Sequence, residues 1–166
     1  MTALTRKYRF SASHRLHTPL LSDTENARVF GKCNNPYGHG HDYELEVTLN
    51  GTVNAETGQL VPIGRLDDYV HERVLNRFAN RYLNVDVAEF RDLVPTTENV
   101  LLVVAELLQE HWDERFGSEL ASLARIHLQE TGRNGFELDL SELNRDSGST
   151  FEQASISSEI PSGTYA

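Results

Sequence analysis

Four stretches of the chain alternate between apolar and polar residues, which is the pattern of a β-strand with one buried face. The last two are separated by a Thr131–Gly135 turn that contains Asn-Gly, a common hairpin signal. The pattern therefore predicts two pairs of strands, at residues 6–16, 41–53, 123–131 and 136–140.

Two further stretches repeat their apolar residues every three or four positions, as one face of a helix does. The first covers residues 64–80, and the second begins near Thr96 and continues through Trp112. Residues 17–38 and 82–95 read as irregular, and 59–63 as a brief extension of the sheet. The predicted order is ββααββ, an α+β fold in which a four-stranded antiparallel sheet carries two helices on one face. Because the strands are rich in apolar residues, we expect an oligomer to cover the other face.

Length and composition indicate one globular domain. The 166 residues suffice for a single core, which we assign to residues 1–140, with a polar and flexible tail at 141–166. The formal net charge of −10 argues against binding to nucleic acid or to an anionic membrane. A single cysteine and the absence of a long apolar run or signal peptide predict a cytoplasmic protein.

Three histidines are candidate metal ligands. His39 and His41 are two residues apart at the start of the second strand, so their side chains share a face. His14 has the same parity as the apolar residues of the first strand, whereas His17 does not. Zinc prefers nitrogen ligands, and a catalytic zinc uses three protein ligands and keeps one position open. The sequence therefore predicts a metal site at these three histidines, close to Cys33.

Glu130 has the parity of the apolar residues of its strand. A carboxylate on a buried face is costly without a partner, so it either faces water at a frayed strand end or binds the N–H groups of a ligand. Thr96 and Glu98 lie at the start of the second predicted helix. Capping of the second helix is sufficient to explain both.

These motifs together resemble the 6-pyruvoyl-tetrahydropterin and 6-carboxytetrahydropterin synthase family. The resemblance covers roughly residues 8–140, and its motifs are FSASHRL from Phe10, FGKCNNPYGHGH from Phe30, TTEN from Thr96 and QET from Gln129. Five residues separate the cysteine from His-Gly-His, which is more similar to the 6-pyruvoyl branch. The resemblance implies a tunnelling fold, in which three subunits close their sheets into a barrel and two trimers form a homohexamer with sites between subunits.

The resemblance also implies a lyase that acts on 7,8-dihydroneopterin triphosphate and eliminates triphosphate to give 6-pyruvoyl-tetrahydropterin. It implies Zn²⁺ as cofactor, with Mg²⁺ accompanying the triphosphate. The implied site residues are His14, His39 and His41 on the zinc, Cys33 as proton acceptor, Glu130 at the amino-pyrimidine edge of the pterin, and Thr96, Thr97 and Glu98 in the same pocket.

The chain departs from the family pattern at Ala79 and Asn80, where the family has an Asp-His pair that completes a relay with the cysteine. Neither side chain titrates near neutral pH. One interpretation is a slow or altered synthase, and a second is that His71 or His127 substitutes, although neither is well placed. A third is a protein that binds zinc and pterin without turnover. A 6-carboxytetrahydropterin synthase-like or aldehyde-cleaving activity on the same substrate is a further alternative.

Overall fold

The predicted four-stranded sheet is present. A computed structural model describes residues 1–117 and 121–141 of the chain. In this part of the chain the strands are all antiparallel and follow one another in chain order across the sheet. They are β1 (Thr2–His14), β2 (His39–Gly51), β3 (Ala121–Thr131) and β4 (Asn134–Asp139). Each strand begins earlier than the alternation predicts, and Asn134 and Gly135 begin β4 instead of forming the turn.

The first two strands pair along their whole length. Thr2 lies opposite Gly51 at one end, and His14 lies opposite His39 at the other. Alternate residues on both strands point to one face, where they are buried. That face forms one side of the hydrophobic core, with Tyr8, Phe10, Ala12, Tyr43, Leu45, Val47 and Leu49.

Helices cover this buried face, as predicted. The first helical stretch is α2 (Ile63–Val70), which continues through a π-helical turn at His71–Leu75 into α3 (Asn76–Phe78). The second is α5 (Thr97–Gln109), followed by the short α6 (Trp112–Phe116). The Tyr69 hydroxyl donates a hydrogen bond to the Leu108 carbonyl over 2.9 Å. This bond links the first helical stretch to the C-terminal end of α5.

The segment 17–38, which the sequence analysis left irregular, contains a helix. This helix is α1 (Asp23–Phe30), and a 3₁₀ turn (Gly31–Asn34) follows it. Ser22 and Glu25 cap α1 reciprocally, each side chain accepting the other residue's backbone N–H. The prediction missed α1 because the helix is short and exposes most of its residues, although its capping sequence was a usable signal.

Two other predictions about local structure were wrong. Residues 59–63 do not extend the sheet. Leu60 and Val61 instead pack into the core ahead of α2, and Pro62 is the N-cap residue of that helix. Residues 82–95 are not irregular throughout, because they contain α4 (Leu83–Asp86) and a 3₁₀ turn (Ala88–Phe90).

The opposite face of the sheet is polar. Lys7 lies 2.5 Å from Glu46, and Arg9 lies 2.9 Å from Glu44, so cross-strand ion pairs occupy the face. The expectation that this face is apolar enough to require a cover was therefore wrong. Oligomer formation stays a prediction that needs another basis.

No helix in the described ranges is long and apolar enough to cross a membrane. The predicted tail at 141–166 lies outside the described residues except for Ser141.

Asn26 provides a test of how the α1 segment is held. Its side chain is fully buried, its oxygen accepts the Thr18 N–H, and its amide nitrogen contacts the Thr18, Leu21 and Ser22 carbonyls at 2.9–3.2 Å. Replacing Asn26 by Ala leaves these buried groups unpaired, so we expect the free energy of unfolding to fall by about 2–3 kcal/mol in urea denaturation.

Asn76→Ala is the matched control, because Asn76 is exposed, and we expect it to change stability by less than about 0.5 kcal/mol. A loss below about 1 kcal/mol for Asn26→Ala would contradict this account of the segment.

Candidate metal centre

The β1–β2 register brings the three predicted ligands together. His14 lies opposite His39, and His41 lies opposite Ala12, so the three imidazoles meet on the buried face at the end of the sheet. One nitrogen from each ring lies within 4.8 Å of the other two. The Nε2 atoms of His14 and His39 are 3.1 Å apart.

The hydrogen bonds of these rings leave nitrogen lone pairs free. His14 is fully buried, and its Nδ1 lies 2.7 Å from the Pro95 carbonyl oxygen, which accepts a hydrogen bond from it. That bond fixes the tautomer, so Nε2 of the neutral ring carries a lone pair. Nε2 of His41 is buried without a hydrogen-bond partner among the described residues. Nδ1 of His39 is likewise buried without a hydrogen-bond partner in the described part of the chain, and Nε2 of His14 lies 3.1 Å from Nε2 of His39.

Burial keeps two of the three rings in the neutral form that binds metals. It lowers the pKa of His14, against the bond to Pro95, and it lowers the pKa of His39, with His41 acting in the same direction. Neutral imidazole is a good zinc ligand, and a carbonyl bonded to the second ring nitrogen is the usual support for one. The three histidines thus fit a zinc ion.

Glu130 extends this cluster with a carboxylate. Its side chain is 10% exposed, and its Oε1 lies 3.6 Å from Nε2 of both His14 and His41. The other oxygen, Oε2, accepts a hydrogen bond from the Asn134 side chain over 3.4 Å. Of the two interpretations left open by the sequence, the frayed and solvated strand end is therefore wrong.

Cys33 lies in the 3₁₀ turn after α1, and its carbonyl accepts the Leu16 N–H over 2.9 Å, just beyond the end of β1. Burial raises the pKa of its thiol, and the negative charge of Glu130 raises it further. The residues of this chain alone therefore keep Cys33 protonated at neutral pH.

The three predicted residues at the start of α5 have different environments. Thr96 is the N-cap, and its hydroxyl accepts the Asn99 N–H. Thr97 is buried, whereas Glu98 is exposed. The Pro95 carbonyl, one residue before the cap, contacts His14, so the start of this helix lies beside the metal cluster.

Ala79 and Asn80 lie along the outer edge of β1, where the chain forms backbone hydrogen bonds with the strand. Asn80 has a positive φ of 59°, and its N–H donates to the Ser11 carbonyl over 2.7 Å. Both residues border a cavity of about 620 Å³, whose lining also includes Asp42 and Glu130. Neither side chain supplies a titratable group to this cavity.

The two histidines considered as substitutes are poorly placed. His71 is exposed on the first helical stretch and contacts the Asp67 carbonyl, and His127 lies on the polar face of the sheet opposite Glu137. The sequence analysis discounted both, and the structure agrees. His17 instead lies beside the segment of Cys33, since its Nδ1 is 3.0 Å from the side-chain oxygen of Asn34.

Sequence analysis missed three contributors to the site. They are the Pro95 carbonyl, the Tyr43 phenol 3.5 Å from Nδ1 of His14, and the Asn134 amide on Glu130. Tyr43 was detectable, because it continues the face of His39 and His41 along β2. The other two contacts are tertiary and leave no local pattern.

These features define a class: an α+β protein whose antiparallel sheet carries a cluster of three histidines that could hold a metal ion, beside a carboxylate. Comparison with known proteins is consistent with that class. Residues 3–141 match the family model described as 6-pyruvoyl tetrahydropterin synthase.

Curated relatives have similar sequences over most of their length. The 6-pyruvoyl tetrahydrobiopterin synthase of Homo sapiens is 43% identical over 107 residues, which are 64% of this chain and 74% of the human protein. The protein of the same name from Poecilia reticulata is 41% identical over a region that covers 79% of this chain and 85% of the Poecilia protein. The solved structure of Caenorhabditis elegans 6-pyruvoyl tetrahydropterin synthase superposes with a TM-score of 0.74, at 36% identity over 83% of this chain and 94% of that one. The chain belongs to the 6-pyruvoyl tetrahydropterin synthase family.

Zinc binding to the three histidines can be tested by thermal unfolding. A ligand that binds only the folded protein stabilises it by about 2.7 kcal/mol at a hundred times its Kd. We therefore expect Zn²⁺ to raise the Tm of the unaltered protein and to have little effect on His39→Ala. His39 suits the test because it is only partly buried, unlike His14.

His127→Ala is the matched control, since it removes a histidine from the polar face of the same sheet. It should respond to Zn²⁺ as the unaltered protein does. An equal Zn²⁺ response in His39→Ala would show that the ion binds elsewhere.

Proposed function

We infer that this chain is a zinc-dependent lyase that eliminates triphosphate from 7,8-dihydroneopterin triphosphate and forms 6-pyruvoyl-tetrahydropterin. The observation that carries this proposal is the cluster of His14, His39 and His41, whose ring nitrogens lie within 4.8 Å of one another beside Glu130. Family membership over residues 3–141 supports the choice of substrate and reaction. The Mg²⁺ that would accompany the triphosphate, and the cytoplasmic location, stay predictions.

The reaction needs a group that acidifies carbon-bound hydrogens and a base that removes them. A zinc held by the three histidines would polarise an oxygen of the substrate side chain, which lowers the barrier to deprotonation of the adjacent carbon. Cys33 is the proposed proton acceptor, and its thiolate is the reactive form. Glu130 is proposed to accept N–H groups from the pterin edge, and Thr96, Thr97 and Glu98 to border the same pocket.

The residues of this site are poorly suited to remove a proton from the substrate. The pKa of Cys33 is raised within the chain, and Ala79 and Asn80 supply no second base. Losing one acid–base group typically costs about 10²–10⁴ in rate. We therefore propose slow turnover relative to a family member that has the Asp-His pair.

Assembly into a barrel remains part of the proposal. Strands β1 and β4 are the two edges of the described sheet, and the chain itself bonds to the outer edge of β1 at Ser11 and Ser13, so a neighbouring copy would pair with the remaining part of that edge and with β4. The cross-strand ion pairs would then line the inside of the barrel. A trimeric ring, and a hexamer of two rings, agree with the family resemblance.

A second candidate function is a protein that binds zinc and pterin without turnover. The same two observations favour it, namely the raised pKa of Cys33 and the two positions without titratable side chains. The two candidates share one binding site and differ only in whether triphosphate leaves.

Triphosphate release from 7,8-dihydroneopterin triphosphate separates these candidates, with zinc-loaded protein and products identified by mass. We expect slow release that falls by about 10²–10⁴ in Cys33→Ala, because the proton acceptor is removed. A pyruvoyl product supports the proposed lyase, whereas a carboxy product or a cleaved aldehyde indicates one of the sister activities.

Asn80→His and the double variant Ala79→Asp/Asn80→His should be assayed alongside, with Tm measured for each. Faster release in either variant would identify the missing relay as the limit on rate. Pterin binding without release in all variants would contradict the lyase and favour the binding protein.

A further inference from the structure

Glu130 lies at an irregularity of its strand, so the regular strand pairing does not fix its side chain. In the pairing of β3 with β4, Gln129 lies opposite Gly135. Thr131 then lies opposite Asn134, so the register shifts at Glu130. The extra residue of such a bulge is left unpaired. The position of the Glu130 carboxylate therefore depends on its side-chain contacts.

Two side chains form hydrogen bonds with this carboxylate. Asn134 donates to Oε2 over 3.4 Å, and Asn134 is exposed. The Tyr43 hydroxyl forms the other hydrogen bond with Glu130, and Tyr43 is fully buried. Water competes with an exposed donor but has no access to a buried one. The contact with Tyr43 is therefore the stronger restraint on Glu130.

The His14 ring determines the direction of the Tyr43 hydrogen bond. The Tyr43 oxygen lies 3.5 Å from Nδ1 of His14. That nitrogen already carries a hydrogen, because it donates to the Pro95 carbonyl oxygen over 2.7 Å. It therefore offers no acceptor to the Tyr43 hydroxyl, whereas a carboxylate does. The hydroxyl hydrogen of Tyr43 consequently points at Glu130.

The Tyr43 ring is held by the aromatic rings around it. It stacks on Phe10, with ring centroids 5.1 Å apart and an interplanar angle of 15°. The rings of His14 and His41 lie across it at 89° and 69°, with centroids at 6.4 and 5.8 Å. A side chain packed in this way occupies one rotamer, so its hydroxyl has a defined position.

The donor and the carboxylate border the same space. Tyr43 and Glu130 both line the cavity of about 620 Å³. Tyr43 lies on β2, two residues beyond His41, whereas Glu130 lies near the end of β3. The strand that carries two of the clustered histidines therefore also carries the donor that orients the carboxylate.

We propose that Tyr43 is a positioning residue, whose hydroxyl aims the Glu130 carboxylate at the N–H groups of a bound amino-pyrimidine edge. This inference rests on the function proposed above, because that function supplies the pterin. A carboxylate that pairs with two N–H groups at once has to lie in a defined orientation, and such paired bonds add geometric specificity. Tyr43 would thus determine how well the site recognises the amino group of a pterin.

Selectivity for that amino group tests the proposal. The probes are 7,8-dihydroneopterin, which lacks the leaving group, and its 2-oxo analogue, in which an oxygen replaces the 2-amino group. Calorimetry measures the binding of each to the zinc-loaded protein. We expect Tyr43→Phe to weaken dihydroneopterin binding about tenfold and analogue binding by less than about twofold. A general loosening of the site would weaken both alike and would overturn the proposal.

Tyr69→Phe is the matched control. It also removes a buried tyrosine hydroxyl, one that donates to the Leu108 carbonyl, and it should leave the preference for the amino group unchanged. Asn134→Ala should narrow the preference less than Tyr43→Phe does, because Asn134 is exposed and its bond to Glu130 is long.

Zinc affinity separates the two contacts of the Tyr43 hydroxyl, one with Glu130 and one with His14. Loss of a contact that orients a metal ligand weakens metal binding about 10–100-fold. We expect a much smaller change in Tyr43→Phe, measured in competition with a chromophoric chelator. A loss of the full size would show that Tyr43 acts on His14, and it would overturn the proposal.

A double-mutant cycle tests the contact without any pterin. Tyr43→Phe keeps the ring that packs on Phe10, and Glu130→Gln keeps the shape of the carboxylate side chain. We expect the two changes together to lower the Tm by less than the sum of their separate effects, because both remove the same contact. Additive effects would overturn the contact between Tyr43 and Glu130.

The outcomes separate this inference from the function on which it rests. If the unaltered protein does not bind dihydroneopterin, the proposed function is contradicted, and the double-mutant cycle alone decides the contact. If the unaltered protein prefers the pterin and Tyr43→Phe keeps the same preference, the positioning role is overturned while the proposed function stands.

Discussion

The candidate site depends first on the register between β1 and β2. Pairing His14 with His39, and Ala12 with His41, places three imidazoles on one face at the end of the sheet. A shift of one residue would turn His14 to the polar face and leave two ligands, because side chains alternate with a period of two. The Pro95 carbonyl then fixes the His14 ring, and this contact ties the start of α5 to the same point. Fold and site are therefore specified by the same pairing.

Burial gives this site an unbalanced charge. It removes the positive charge from His14 and His39 by lowering each pKa, while the largely buried Glu130 carboxylate stays among them. The same carboxylate raises the pKa of Cys33. A bound cation would oppose the effect of Glu130 on Cys33, since it would attract the carboxylate and favour the thiolate. Under the proposed function, metal binding would therefore influence the pKa of Cys33 through Glu130.

The sequence predicted the parts of the structure that follow a period. Alternation located the four strands, and parity selected His14, His39 and His41, which the structure brings together, in preference to His17. Parity also placed Glu130 on the buried face. The features that alternation could not predict depend on tertiary contacts or on one irregularity in strand pairing. The bulge at Glu130 and the Asn134 contact come from hairpin pairing, and the Pro95 contact joins residues far apart in the chain. The helix α1 was missed although Ser22 and Glu25 signalled it, because it is short and buries only Asn26.

The positions of Ala79 and Asn80 differ in how readily they would accept the Asp and the His of a complete relay. Asn80 has left-handed backbone geometry and an exposed side chain, and His, like Asn, is one of the residues enriched in that conformation. An imidazole at this position therefore fits the present backbone. Ala79 has an extended backbone and packs against the edge of the hydrophobic core, where a carboxylate would lose hydration unless it gained a partner. A histidine at position 80 would be the natural partner for that carboxylate, so the two changes stabilise each other. The carboxylate position, more than the imidazole position, separates this chain from one with a complete relay.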